Sequence, residues 1–252
     1  MTAPRILLTN DDGYLAPGLL AAFRAVVELG TVCVVAPRLE RSGCSHSITL
    51  GEPIVVERFE QEELGNVFAV DGSPADCVRL AAASLMAPPI DLVLSGINRG
   101  ANAGVDVFYS GTVAAAREGA ILGIRSISLS QAVRTGVDVD WSASARAAEV
   151  VVRALLRESL PGPGFWSVNF PAPVPDDPQN HLHRVPVATR PVPMQFDRAA
   201  EEDGRRMIFT YGASYWAREA AEASDYGVIR DGGIAISAVP LHGAFPGTRS
   251  RR

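Results

Sequence analysis

The stretch RILLTNDDG, residues 5–13, places a run of apolar residues directly before two acidic ones. Residues 5–9 have the composition of a short buried strand, and Asn10, Asp11 and Asp12 follow it without a spacer. In open α/β sheets, ligands bind in the crevice outside the carboxyl ends of the strands. The stretch therefore predicts a strand whose polar end faces a binding site.

Strand and helix signals alternate from this stretch to Phe170. Further strands are predicted at residues 31–36, 54–56, 67–70, 90–95, 126–129 and 165–170. Helices are predicted at residues 17–29, 112–122 and 141–156, and from a cap at Ser73 and a first turn at Pro74 to about residue 85. Strands separated by long helices indicate βαβ units, so we predict an α/β fold with a mostly parallel sheet.

The character of the sequence changes after Pro171. Residues 171–193 contain seven prolines together with His181 and His183, which indicates an extended, loop-rich segment. Short strands are predicted at residues 185–188, 207–211 and 234–239, a solvated charge run at 198–206 and a frayed basic end at 248–252. We therefore predict a main domain over residues 1–171 and a β-rich extension over residues 172–252.

The overall composition argues against several classes of protein. The 252 residues carry a formal net charge of −5, which gives no general attraction for polymeric nucleic acid or an anionic membrane. The three cysteines have no CxxC spacing, which argues against a disulfide framework or a zinc site. We recognise neither a signal peptide nor a membrane span and expect a cytoplasmic location.

Asp11 and Asp12 are adjacent carboxylates that repel each other unless a cation or hydrogen-bond donors compensate. Hard oxygen ligands of this kind suit Mg²⁺ or Mn²⁺. A polar turn is the alternative, because Asn, Asp and Gly all favour turns. A phospho-acceptor receiver domain would also carry an acidic pair, but it needs another Asp at the next central strand end, where Leu94-Ser95-Gly96 stands.

Two other segments carry groups that suit a metal or an anion. After the strand at 90–95, Asn98 can offer an oxygen to a metal and Arg99 can pair with phosphate, although a glycine-rich loop without a ligand has the same sequence. Ser110, Gly111 and Thr112 open an alanine-rich helix, whose free N–H groups and dipole favour an anion. Helix capping alone would also explain the hydroxyls.

The loop at residues 41–47 is rich in hydroxyl and thiol groups and contains Cys44 and His46. A covalent mechanism through a Ser–His or Cys–His pair is disfavoured. The chain has no G-x-S-x-G elbow here, and Cys44 lies only two residues from His46.

These motifs, taken together and in order, resemble the SurE family of 5′/3′-nucleotidases. The matching pieces are residues 6–13, 36–37, 40–42, 72–78, 94–100, 109–119 and 167–171, and residues 233–241 resemble the family's terminal strand. The likeness is strong over residues 5–130. Residues 173–216 show little of it, and Gly43, Cys44 and Ser73 depart from the family pattern.

The resemblance implies a set of site residues and a reaction. The family's metal ligands, which would hold one Mg²⁺ or Mn²⁺, correspond to Asp11, Asp12, Ser42 and Asn98. The groups that contact the phosphate correspond to Asn98, Ser110, Gly111 and Thr112. Water activated by the metal would hydrolyse a nucleoside 5′- or 3′-monophosphate, with Asn10, Asp11 and Asp12 as catalytic residues. Asp12 or a second water would move the proton, and His46 is a less favoured candidate.

The resemblance also implies an architecture. It is a Rossmann-like, three-layer catalytic domain over residues 1–171, followed by a β extension that subunits of a homodimer or homotetramer exchange. Two other functions stay open. One is a specialised phosphatase that acts on an unusual nucleotide or phosphometabolite in a biosynthetic pathway, and the other is a non-catalytic nucleotide-binding protein.

Overall fold

The computed structural model describes residues 3–190, 193–199, 206–212, 214–218 and 223–242. The strands are β1 (Arg5–Thr9), β2 (Thr31–Pro37), β3 (Val56–Gln61), β4 (Gly65–Val70), β5 (Leu92–Arg99), β6 (Ser126–Gln131), β7 (Gly164–Phe170), β8 (Leu182–Arg184), β9 (Phe196–Ala199), β10 (Ile208–Tyr211) and β11 (Ile234–Pro240). The α-helices are α1 (Pro17–Val26), α2 (Pro74–Leu80), α3 (Gly111–Ile121), α4 (Trp141–Leu155) and α5 (Asp225–Arg230).

Nine of these strands form one sheet in the order β3-β4-β2-β1-β5-β6-β7-β11-β8. Every pair from β4 to β7 is parallel, whereas β3 pairs antiparallel with β4 and β11 pairs antiparallel with β7. The chain builds β2 and β4 on one side of β1 and then returns to place β5 on the other side. The order therefore reverses between β1 and β5, and such a switch point is where α/β sheets bind ligands.

Side chains that alternate along β1 separate two apolar cores. Ile6 and Leu8 belong to a cluster with residues of α1 and α4, whereas Leu7 packs with Cys77 and Val78 of α2. Since successive side chains of a strand point to opposite faces, the helices cover both faces of the sheet. This three-layer arrangement confirms the predicted α/β class.

The N-terminal half follows the predicted order of elements closely. β1 has the predicted bounds, and α2 begins with the predicted cap, because Ser73 Oγ accepts from the N–H of Asp76 at 3.0 Å. The Asp76 carboxylate accepts from the N–H of Ser73 in return, which completes a capping box. The strand expected at residues 54–56 instead begins at Val56 and runs to Gln61 as the outer half of a hairpin with β4.

The segment after Pro171 differs more from the expectation. No strand forms at residues 185–188, because Pro186 has no N–H and the N–H of Ala188 donates to the Asp225 carboxylate instead of a neighbouring strand. β8, β9 and α5 are elements that the sequence analysis does not predict. The charge run expected at 198–206 overlaps the last two residues of β9, but residues 200–205 and 248–252 lie outside the described residues.

β9 and β10 form a separate antiparallel pair whose eight residues are all exposed. By contrast, β8 and β11 extend the main sheet beyond β7. Within the described ranges, no helix is long and apolar enough to cross a lipid bilayer.

Candidate metal and phosphate site

Asn10, Asp11 and Asp12 lie at the carboxyl end of β1, at the switch point of the sheet. Asn10 is fully buried, and its amide nitrogen donates to the carbonyl of Gly13 at 2.8 Å, which fixes the turn after the strand. The amide oxygen of Asn10 is also buried, and no donor among the described residues reaches it. A buried acceptor without a partner is uncommon and indicates a site that water or a ligand completes.

The Asp11 carboxylate is buried against the first turn of α3. Thr112 Oγ1 donates a hydrogen bond to Asp11 Oδ1. A methyl group added at Gly111 would lie 2.9 Å from Asp11 Oδ2, so the absence of a side chain there lets the helix approach. Burial raises the pKa of Asp11 to about 6, and the charge of Asp12 adds to the rise.

The Asp12 carboxylate joins the ends of β1 and β5, because Asp12 Oδ2 accepts from the backbone N–H of Arg99 at 3.0 Å. Burial raises the pKa of Asp12 as well, and the nearby Glu40 carboxylate contributes. Across the described ranges, neither Asp11 nor Asp12 forms a salt bridge with a basic side chain. The charge of Arg99 acts on Asp12 only as a minor effect, so two partly desolvated carboxylates without a salt bridge favour the binding of a cation between them.

Asn98 lies on β5 and not on the loop that the sequence predicted. The strand continues past Ser95 through an irregularity in its pairing with β6, after which Asn98 pairs with Ser130. Gly96 makes this possible: its φ is +131°, and a methyl group there would lie 2.2 Å from the carbonyl oxygen of Leu129. The amide nitrogen of Asn98 donates to the Gly100 carbonyl at 2.7 Å, so its oxygen is the atom left to face a metal.

The loop that carries Ser42 is tied to the end of β1. The N–H of Arg41 donates to the backbone carbonyl of Asp11 at 2.7 Å. Ser42 is exposed, and its hydroxyl donates to Glu40 Oε1 at 2.7 Å. Glu40 is therefore a site residue that sequence reasoning did not assign, although its position two residues before Ser42 was the available signal.

Ser110 caps α3, because its hydroxyl oxygen accepts from the N–H of Val113 at 3.1 Å. The first N–H groups of an α-helix have no partner within the helix, so those of Gly111 and Thr112 point out of this end. Both residues are buried beside Asp11. The helix start therefore combines a confirmed cap with an arrangement that suits an anion.

His46 and Cys44 do not form a nucleophilic pair. His46 Nε2 lies 2.8 Å from one oxygen of the buried Glu118 carboxylate, and Arg79 donates to the other oxygen at 2.9 Å. Cys44 instead lies against Gly111, since a methyl group at Gly111 would be 3.1 Å from its sulfur. The two side chains of the loop thus contact different parts of α3.

The oxygen atoms of the four side chains predicted as metal ligands have the chemistry that suits a hard divalent cation. They combine two carboxylates, of Asp11 and Asp12, with the neutral oxygens of Ser42 and Asn98. In the part of the chain that the structure describes, no three His, Cys, Asp or Glu side chains are placed to hold a metal together, so a metal here needs the neutral oxygens as well. Oxygen ligands of mixed charge are what Mg²⁺ and Mn²⁺ accept.

Comparison with known proteins identifies the family and supports the fold. The family model of survival protein SurE matches residues 6–192. A 5′-nucleotidase SurE from Geotalea uraniireducens is 41% identical over 245 residues, which cover 94% of this chain and 92% of that relative. Another from Rhodopirellula baltica is 38% identical over 245 residues, with the same coverage. The crystal structure of the SurE protein from Aquifex aeolicus superimposes with a TM-score of 0.83 at 34% identity and covers 96% of this chain and 95% of that chain.

Proposed function

Because the chain belongs to the SurE family, we propose that it is a nucleotidase that hydrolyses nucleoside monophosphates with the help of a divalent metal ion. The relatives from Geotalea uraniireducens and Rhodopirellula baltica are named 5′-nucleotidase SurE, and the likeness covers 92% of each. One observation carries the proposal: Thr112 at the mouth of α3 donates directly to the buried carboxylate of Asp11. A cation-binding group and an anion-binding helix end therefore share one crevice.

Asp11, Asp12, Ser42 and Asn98 are the residues that would hold the metal, either Mg²⁺ or Mn²⁺. When bound, such an ion supplies charge neutralisation at the phosphoryl oxygens and lowers the pKa of water. The bond from Ser42 to Glu40 is compatible with this role, because a hydroxyl that donates its hydrogen keeps two lone pairs.

The start of α3 would hold the phosphate. The N–H groups of Gly111 and Thr112 offer donors in fixed positions, which stabilise charge without reorganisation during the reaction. Ser110 accepts from Val113 with its oxygen and retains a hydroxyl hydrogen to donate to a phosphate oxygen. The hydroxyl of Thr112 is engaged with Asp11 and thereby orients that carboxylate.

Asp12 is the residue that we assign to proton transfer from the attacking water, directly or through a second water. It is the more exposed of the two carboxylates, and burial raises its pKa, which makes it a better base than an ordinary Asp. His46 is held by Glu118 two helical turns beyond the start of α3, which favours a structural role for it.

We also propose that residues 172–252 form a subunit-pairing extension in a homodimer or homotetramer. The exposed aromatic side chains of β9 and β10 support this assignment, since apolar patches of this kind mark interaction surfaces. A cytoplasmic location stays a prediction of the sequence.

The substitution Asp11→Asn tests the proposed function. It keeps the size of the side chain but removes one of the two charges, so we expect kcat for nucleoside monophosphates in Mn²⁺ to fall by about 10²–10⁴-fold. Asp91→Asn is the matched control, because Asp91 lies just before β5, at the amino ends of the strands, and its carboxylate accepts from the N–H of Arg5. Full metal-dependent activity in the Asp11→Asn variant would overturn the assignment.

A substrate panel separates the proposal from its alternatives. Nucleoside 5′- and 3′-monophosphates and other phosphometabolites would be compared in Mn²⁺ and in Mg²⁺. A clear preference for a phosphometabolite that is not a nucleotide would indicate the specialised phosphatase. Hydrolysis of none of the esters in either metal would indicate the non-catalytic protein.

A further inference from the structure

A cavity of about 660 Å³ opens beside the candidate site, between the ends of β5 and β6 and residues 214–216. Arg99 and Gly100 line one end of it, so the cavity begins one residue beyond Asn98. Arg99 is also the residue whose N–H holds the Asp12 carboxylate. The volume lies in the range of small-ligand pockets, and a phosphate ester whose phosphate is held at the start of α3 has room for its alcohol part here.

The far wall of the cavity is a layer in which the Arg134 guanidinium lies over the Trp216 ring. The Arg134 guanidinium carbon lies 5.6 Å from the centroid of the Trp216 ring, and both residues line the cavity. The indole N–H of Trp216 donates to the carbonyl of Val133 at 3.1 Å, which fixes the orientation of the ring. Arg134 is exposed, so a ligand can reach its guanidinium, which also donates from Nη2 to the carbonyl of Arg230 at 3.5 Å.

The wall is fixed to the segment that leads into α3. Arg218 donates to both oxygens of the Asp106 carboxylate, at 2.8 and 2.7 Å, and its guanidinium carbon lies 4.2 Å from the centroid of the Tyr215 ring. Asp106 lies four residues before Ser110, whose N–H donates to the Asp106 carbonyl. Trp216 is therefore held in a fixed relation to the candidate phosphate site, which reduces the entropy lost on binding.

We propose that this cavity binds the nucleobase of the substrate, which stacks on the layer formed by Arg134 and Trp216. Guanidinium planes and aromatic rings both stack on bases, and this contact tolerates any base because each has a flat π-face. The inference rests on the proposed function and deepens it. It makes Arg134 and Trp216 specificity-determining residues that favour nucleotides over sugar phosphates of the same charge.

The test compares adenosine 5′-monophosphate with ribose 5-phosphate, which lacks the base, in the intact protein with Mn²⁺. We expect Arg134→Ala and Trp216→Ala each to lower kcat/KM for the nucleotide by about tenfold, mostly through KM, as loss of one stacking contact does. Activity on ribose 5-phosphate should stay within about twofold. Arg157→Ala is the matched control, because Arg157 is an exposed arginine that follows α4 at the opposite edge of the sheet.

Equal losses on both substrates, or a wild-type protein that does not prefer the nucleotide, would overturn the inference. A second measurement does not depend on catalysis. Adenosine is titrated into the protein while tryptophan fluorescence is recorded, and we expect quenching that Trp216→Phe removes. If neither ester is hydrolysed but this quenching occurs, the proposed function fails and the base-binding cavity stands. Quenching that persists in Trp216→Phe would place the nucleoside elsewhere.

Discussion

At the carboxyl ends of β1 and β5, polar side chains are buried, whereas on the β9–β10 hairpin aromatic side chains are exposed. Asp11 is 4% exposed and Thr112 is fully buried, while Phe196 and Phe209 are 59% and 53% exposed. Each arrangement is unfavourable for a lone folded chain, because buried carboxylates lose hydration and exposed aromatic rings keep water ordered around them. Buried carboxylates favour a cation in the crevice, and exposed aromatic rings favour a covering surface on the hairpin, so both regions indicate what should bind there.

The glycine at the start of α3 allows the strongest test of the crevice. A methyl group at Gly111 would lie 2.9 Å from Asp11 Oδ2 and 3.1 Å from the Cys44 sulfur, so Gly111→Ala must displace the carboxylate. We expect kcat for a nucleoside monophosphate to fall by about 10²-fold, because small misplacements of catalytic groups have effects of that size.

Gly119→Ala is the control on the same helix. Its methyl group would lie 2.4 Å from Ser126 Oγ and 2.8 Å from a Val93 side-chain carbon, which is a clash in the core away from the crevice. Overpacking of this kind costs about 1–3 kcal/mol of stability and should leave kcat unchanged. Denaturant unfolding and steady-state kinetics on both variants separate the two effects. Equal activity of the two variants would contradict the role of Gly111.

The buried carboxylate of Asp11 should also affect stability, with a defined dependence on pH. Its pKa rises from 3.8 to about 6 on folding, so the folded state binds the proton more tightly than the unfolded state. The resulting penalty is absent below about pH 4 and complete above about pH 6, where it reaches on the order of 3 kcal/mol. Without added metal, stability should therefore fall across this interval as pH rises.

The variant Asp11→Asn isolates the contribution of the Asp11 carboxylate to the pH dependence of stability. In EDTA, the unfolding free energy of the variant should exceed that of the wild type by a margin that grows from pH 4 to pH 7. The contributions of the other titrating groups, except Asp12, are nearly the same in both proteins and largely cancel in this difference. Mn²⁺ at 100 times its dissociation constant should then stabilise the wild type by about 2.7 kcal/mol and leave the variant nearly unaffected. A difference that is constant across this pH interval would count against the raised pKa.

Much of the region around the crevice was predictable, because its signals are local. The apolar run before Asn10 predicts β1, and the sequence Ser73-Pro74-Ala75-Asp76 predicts the start of α2. The continuation of β5 was not predictable, because a strand that passes Gly96 with a positive φ has the sequence of a glycine-rich loop. Residues 225–230 are too few to show a helical repeat of apolar side chains. Their helix, α5, depends on contacts with β11.

In the site, too, only the features with a local sequence signal could be predicted. The carboxyl ends of parallel strands lie on the same side of a sheet, so the proximity of Asp12 and Arg99 was predictable from the sequence. The bond between His46 and Glu118 joins residues 72 positions apart, and no local pattern marks it. The cavity wall at Trp216 was also missed, since it is formed by a segment whose position depends on the ion pair of Arg218 with Asp106.

A substitution on the β9–β10 hairpin should have the smallest effect on the stability of the folded chain and a clear effect on the association of subunits. Phe209 lies on the face of the hairpin that also carries Phe196 and Tyr211, whose rings meet edge to face. In a single chain Phe209 is half exposed, so Phe209→Ser should change the unfolding free energy of the monomer by no more than about 0.5 kcal/mol. In a homodimer or homotetramer paired through this face, the same substitution removes a buried ring and weakens association.

Light scattering after size-exclusion chromatography over a range of protein concentrations measures that association. We expect Phe209→Ser to shift the mass toward the monomer, while Thr210→Ser, a neighbour on the other face of the hairpin, leaves it unchanged. An unchanged oligomer together with a large loss of monomer stability would mean that Phe209 packs within its own chain. Because activity on ribose 5-phosphate depends only on the crevice, it should survive in a monomer, and its loss would show that the two regions depend on each other.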